Sequence, residues 1–173
     1  RKEGTKLLEQ FEGYFELDNV TIEKYDENDW PIRPEALKTK KAKETQINKQ
    51  ADVVMLLHLM GNEFDDETIK ENYAYYEKRT LHGSSLSPSI YSVMGLKVGD
   101  DSKALFIDLL NMQGNTREGI HAANTGGVWQ TIVFGFAGVS QREDGKLRVC
   151  PNMPEEWQNL TFRLHYKGAW LEN

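Results

Sequence analysis

The spacing of apolar residues changes period near residue 140, and one type of secondary structure cannot serve both sides of that change. Upstream, Ile47, Ala51, Val54, Met55 and His58 recur at three- and four-residue steps, the spacing of one helix face. Downstream, Leu147 and Val149, then Leu160, Phe162, Leu164 and Tyr166, alternate with polar residues, which is strand spacing. The chain is therefore read as mainly α, with helices over 1–140 and strands over 141–173. The β part is too short to close a sandwich alone.

Punctuation residues divide the helical part. Residues 1–36 carry an aromatic-rich patch, with Leu7, Leu8, Phe11, Tyr14, Phe15 and Leu17, and then an acidic, turn-prone stretch from Asp26 to Pro31. They are read as an extended segment laid over something larger. A first helix is predicted from Lys43, stopped by Gly61; a second is capped at Asp65-Asp66 and runs through Tyr76. After a loop over Arg79–Ser85, Ser87-Pro88 starts a third helix with proline at its first position, ended by Gly99. Asp101 is read as the cap of a fourth, through Met112. A polar loop over Gln113–Thr125 then leads to a fifth over Gly126–Val139, apolar almost all round and hence buried.

Charge and composition exclude several functions. A net charge of −6 over 173 residues repels nucleic acid, and the one basic cluster, Lys38 to Lys43, reads as a solvated helix start. No apolar run is long enough to span a bilayer. Cys150 is the single cysteine, so no internal disulfide forms and a reducing cytoplasm is expected. The opening Arg-Lys-Glu, without an initiator Met, points to a piece of a longer protein. His58, His82, His121 and His165 lack metal-ligand spacing, so no metal is expected. The serines of HGSSLSP do not form the GxSxG elbow, and the glycines make no Walker loop or dinucleotide fingerprint.

Two polar loops remain. His82-Gly83-Ser84-Ser85 and Glu118-Gly119-Ile120-His121 each offer backbone N–H groups, with hydroxyls or an imidazole. Thr125-Gly126-Gly127 is read as opening a helix, whose N-terminus favours an anion. Together these are the parts of a phosphate cradle, although helix caps and turns account for the same residues. Lys49-Gln50, read as lying mid-helix, can grip sugar hydroxyls, or can simply form a solvated face.

Three ordered stretches, NKQADVVMLLHLM, ENYAYYEKRTLHGSSLSPSIYSVMGLKVGD and NTREGIHAANTGGVWQTIVFGFAGV, closely resemble the family 65 glycoside phosphorylases. The opening LLEQFEGYFELDNV resembles that family's preceding segment, and LRVCPNMPEEWQNLTFRLHYKGAW its following β domain. The resemblance implies the C-terminal helices of an (α/α)₆ barrel followed by the start of a small β domain. It implies inverting phosphorolysis of an α-linked glucose disaccharide, with inorganic phosphate as co-substrate and no cofactor. It assigns Lys49 and Gln50 to the sugar, and His121, Ser84 and Ser85 to phosphate, with added donors near Gly126 and Gly127. The family's general-acid Glu matches no residue here and is expected upstream, so Glu118 is read as a loop-fixing residue. The chain is accordingly expected to be incomplete and inactive alone, its partner being the remainder of the same enzyme, a homodimer at full length. HGSS and QGNTREGIH lean towards a kojibiose, nigerose or trehalose type over a maltose type.

Overall fold

The leading segment lies across the helices through buried aromatic and amide side chains. The computed structural model describes residues 2–27, 30–84, 86–100, 122–142 and 144–172. Tyr14, only 1% exposed, donates its hydroxyl proton to Gln46 O at 2.6 Å and accepts from Asn48 Nδ2 at 3.2 Å. Its ring packs against Phe11, Phe15 and Tyr76. The segment expected to cover something larger thus covers part of this chain's own helical layer.

The first helix, α1, spans Asp52–Leu59, nine residues later than the period alone indicates. The cause is long-range pairing. Asp18 bridges Thr45 and Asn48 bridges Thr80, both in parallel. Asn48 N–H donates to Arg79 O at 2.7 Å, and Leu81 N–H to Asn48 O at 2.9 Å. Backbone groups committed to these partners cannot also enter a helical ladder. Lys49 and Gln50 therefore sit just ahead of α1 and not within a helix, which corrects the mid-helix reading.

α2 spans Asp66–Glu77, and its N-cap is Asp65 as predicted, whose carboxylate accepts the Thr68 N–H at 2.7 Å. That bond first, and Lys6 second, holds the Asp65 carboxyl down to about 2 from its ordinary 3.8. A depressed folded value means that the contribution is complete above the unfolded value and is lost as pH falls through the folded one. Asp65→Ala should therefore lower the urea midpoint at pH 7, and its difference from wild type should shrink between about pH 4 and pH 2. A difference constant across that range would detach the cap from the ionised carboxylate.

α3 spans Leu86–Val98. Pro88 is its third residue, still in the first turn, where a missing N–H leaves no gap in the ladder. Gly99 ends the helix with φ +83°, the left-handed stop expected of it.

α4 spans Ala122–Gln130 and continues as a π-helical turn over Thr131–Phe136. It is already running four residues before Gly126, so the expectation that Thr125-Gly126-Gly127 opens a helix is corrected. Gly127 serves another end. A Cβ on Gly127 would lie 2.8 Å from Ser89 Cβ, so its absence lets α4 approach α3. Thr131 Oγ1 spans the same contact, donating to Ser89 O at 3.0 Å. The predicted Asp101–Met112 helix, and Gln113–His121 of the loop after it, lie outside the described residues.

The main core joins α1, α2 and α3 through Val54, Leu57, Tyr73, Tyr91 and Met94. A second core, of Val133, Ala137 and Val139 with Leu147, Leu160, Phe162 and Leu164 against it, fastens the β part to the π turn. The described strands form two antiparallel pairs, β1 (Ser140–Gln141) with β2 (Leu147–Arg148), and β3 (Arg163–Tyr166) with β4 (Ala169–Glu172). Val149, expected in a strand, falls just beyond β2 and is exposed. The chain is mainly helical with a small two-sheet β region.

Candidate functional site

Pairing of Asn48 with 79–81 builds the site. Because Asn48 is held between Arg79 and Leu81, the residues that follow each stretch emerge side by side. Lys49 and Gln50 are exposed there. A Cβ on Gly83 would stand 3.6 Å from Lys49 Cγ, so the lysine stem lies along the glycine of HGSS. The structure thus sets the Lys49 stem beside Gly83, the residue that precedes Ser84.

Ser84 is half-buried at the entry to α3. Its carbonyl accepts from Ser87 N–H at 3.3 Å and from Ser87 Oγ at 3.1 Å. Its Oγ accepts from Leu86 N–H at 3.4 Å. A hydroxyl that receives a backbone N–H on one lone pair keeps its own proton for another acceptor, so Ser84 can still donate to an anion. Ser85 and His121 lie outside the described residues. The amides of Gly126 and Gly127 fall within the body of α4, where ladder bonds occupy them, so they do not form a helix-terminal anion site.

Beside Lys49 and Gln50 opens a cleft of about 380 Å³, whose lining includes Gln10, Phe11, Asn48 and Asp52. Gln10 Nε2 donates to Asp52 Oδ2 at 2.8 Å, and Phe11 is 53% exposed. An exposed aromatic ring beside amide and carboxylate groups suits the mixed apolar and hydroxylated faces of a sugar. Sequence reasoning placed Phe11 only in an apolar patch, and Gln10 and Asp52 carried no local signal.

The two described histidines near these helices are structural in their contacts. His58 Nε2 lies 3.1 Å from Gln130 Oε1, which ties α1 to α4. Burial pushes its pKa down, opposed by the Gln130 bond. His82 is buried and is taken up below. Among the described residues no group of three His, Cys, Asp or Glu could hold a metal ion, and no helix is long and apolar enough to cross a membrane.

Residues 1–130 match the glycosyl hydrolase family 65 central catalytic domain, and residues 141–172 match the C-terminal domain of the same family. The chain belongs to glycosyl hydrolase family 65. It is 53% identical over 174 aligned positions to a kojibiose phosphorylase of Caldanaerobacter subterraneus subsp. tengcongensis, covering 96% of this chain and 23% of that protein. It is 45% identical to an α,α-trehalose phosphorylase of Geobacillus stearothermophilus, over 73% of this chain and 17% of the relative. A solved structure of a human-microbiome protein, provisionally assigned as a kojibiose phosphorylase, superposes with a TM-score of 0.78 at 32% identity, over 99% of this chain and 24% of that one. This family 65 chain therefore spans about a quarter or less of the length of these relatives.

Proposed function

We propose that the protein containing this chain is an inverting α-glucoside phosphorylase of kojibiose type. The observation that supports the reading is the approach of the Lys49 stem to Gly83, next to Ser84, whose hydroxyl is able to donate to phosphate. Identities of 53% and 51% to two kojibiose phosphorylases support the substrate class. The whole catalytic unit is taken to be an (α/α)₆ barrel, to which these helices belong. The full-length protein is taken to be a cytoplasmic homodimer using phosphate as co-substrate and no cofactor.

The chemistry follows from the nucleophile. An inverting hydrolase needs one carboxylic acid for the leaving oxygen and a second carboxylate to activate water. Phosphate is already anionic, so the second carboxylate gives way to donors that hold it in line. One phosphate oxygen forms a bond to the anomeric carbon as the glycosidic C–O bond breaks. The leaving oxygen takes a proton from a carboxylic acid outside this chain, releasing β-glucose 1-phosphate and the acceptor sugar. Lys49 and Gln50 orient the glucose being transferred. Ser84 or Ser85, with His121, holds the phosphate; Gly127 contributes close packing of α4 on α3.

The test uses the full-length enzyme with phosphate and disaccharide varied separately. Lys49→Ala should lower kcat/KM for the disaccharide about ten- to a hundredfold, the effect of losing a charged hydrogen bond. His121→Ala should raise the KM for phosphate and lower kcat, moving the KM for disaccharide less. Turnover that does not require phosphate would instead make the protein a hydrolase of the same family.

A further inference from the structure

His82 occupies a position that its neighbours do not explain as loop filling. Its φ is +51°, a left-handed conformation uncommon for a residue with a Cβ. It is only 4% exposed, and its ring stands edge-on to Tyr91 at 4.9 Å between centroids and 88° between planes. Tyr91 is itself fixed, its hydroxyl 2.8 Å from Thr80 Oγ1. The ring is thereby held with Nδ1 2.9 Å from Ser87 Oγ.

The serine decides the direction of the chain of bonds. Ser87 Oγ has one proton, and that proton is directed at Ser84 O, 3.1 Å away. Both contacts are satisfied together only when His82 Nδ1 carries a proton and donates it to Ser87 Oγ. The order is then His82 Nδ1–H to Ser87 Oγ–H to the carbonyl of Ser84. A carbonyl held by both the Ser87 side chain and the Ser87 N–H fixes the Ser84 peptide plane, and with it the direction of the Ser84 hydroxyl. On the other side of His82, Leu81 is bonded to Asn48 and Gly83 lies along Lys49. One buried imidazole thus sets the serine loop relative to the Lys49–Gln50 segment.

We propose that His82, acting through Ser87, is a positioning residue that aims the Ser84 hydroxyl at the attacking phosphate. The proposal rests on the reading that Ser84 binds phosphate. A donor shifted by part of an ångström loses in-line alignment while leaving the sugar pocket alone, so the effect concentrates on phosphate.

Four variants of the full-length enzyme test it, each with separate saturation by inorganic phosphate and by the α-linked glucose disaccharide turned over fastest, and a thermal melt. Ser87→Ala breaks the relay with little change of volume. His82→Gly removes the ring at a backbone angle that glycine adopts freely. His82→Asn tolerates the left-handed angle and keeps an N–H donor close to the position of Nδ1. Ser84→Ala tests the underlying reading. Ser87→Ala and His82→Gly are expected to raise the KM for phosphate about five- to tenfold, the scale of one neutral hydrogen bond, with the KM for disaccharide within about twofold. His82→Asn should return the phosphate KM to within about twofold of wild type. A raised phosphate KM in Ser84→Ala alone, with folded Ser87→Ala unchanged, overturns the positioning role and leaves Ser84 in the site. An unchanged phosphate KM in Ser84→Ala removes Ser84 itself, and the proposal with it. If His82→Gly does not fold, Ser87→Ala and His82→Asn decide; His82→Asn behaving like Ser87→Ala in a folded protein overturns the donor role.

Discussion

Gly138→Ala should destabilise the protein by about 3–5 kcal/mol, combining left-handed strain with a backbone collision. Gly138 has φ +63°, and a Cβ there would lie 1.9 Å from Cys150 O and 2.6 Å from Cys150 C. A flexible side chain could swing aside, but a carbonyl moves only with its backbone. Moving it would break the bond from Cys150 N–H to Gly138 O at 3.2 Å and strain that from Asn152 N–H to Phe136 O at 2.8 Å. Those bonds dock the segment after β2 on the end of the π turn, next to the contact of Phe136 with Trp157. Gly99→Ala is the control, since Gly99 has φ +83° and nothing among the described residues within 4 Å of the added carbon. It should cost only about 1–2 kcal/mol, from backbone conformation alone. Equal urea midpoints for the two variants would show that the approach of Cys150 is not limiting.

Asn72→Ala should cost about 3–4 kcal/mol, because it strands buried backbone groups of another segment. Asn72 is fully buried on α2. Its Oδ1 accepts from Leu8 N–H at 2.7 Å, and its Nδ2 donates to Lys6 O at 3.0 Å and Thr68 O at 2.8 Å. The helix keeps its own ladder without that side chain, but Leu8 N–H and Lys6 C=O lose a partner beneath the segment they belong to. Hydrogen exchange should show the Leu8 amide losing protection before α2 does. Asn72→Asp offers the acceptor without the donor and should fall between wild type and alanine. A loss below about 1 kcal/mol in Asn72→Ala would mean that water replaces the amide at no cost.

What was legible in the sequence was local. Asp65 as a cap, Gly99 as a stop and the change of period near residue 140 each depend on neighbours a few residues away. The start of α1 was not legible, because Ile47 and Ala51 keep helical spacing while the backbone around Asn48 pairs with Arg79 and Leu81. Gly126 and Gly127 misled for a related reason. Glycine reads as a helix boundary, yet Gly127 is demanded by Ser89 of a different helix. The proximity of Lys49 to Gly83 likewise depends on long-range pairing, so only the resemblance to a family could put both residues in one site. Gln10 and Phe11 at the cleft had no such route, since nothing about a single glutamine or phenylalanine distinguishes a lining residue from a patch.

The wide turn over Thr131–Phe136 limits where such a chain can gain or lose residues. Phe134 packs against both cores, while Val133 serves the one shared with the β part and Gly135 faces Leu96 of α3. An ordinary helix turns about 100° per residue and keeps a single apolar stripe, so it could not address two bodies in this way. Deleting one residue here would convert the wide turn to a regular one and swing all that follows by about that angle, carrying Gly138 away from Cys150. Length variation is expected instead in stretches such as Arg142–Lys146, between β1 and β2, where an added residue disturbs the turn and the bonds from Tyr166 and Lys167 to Gly145 O and leaves the helices in place.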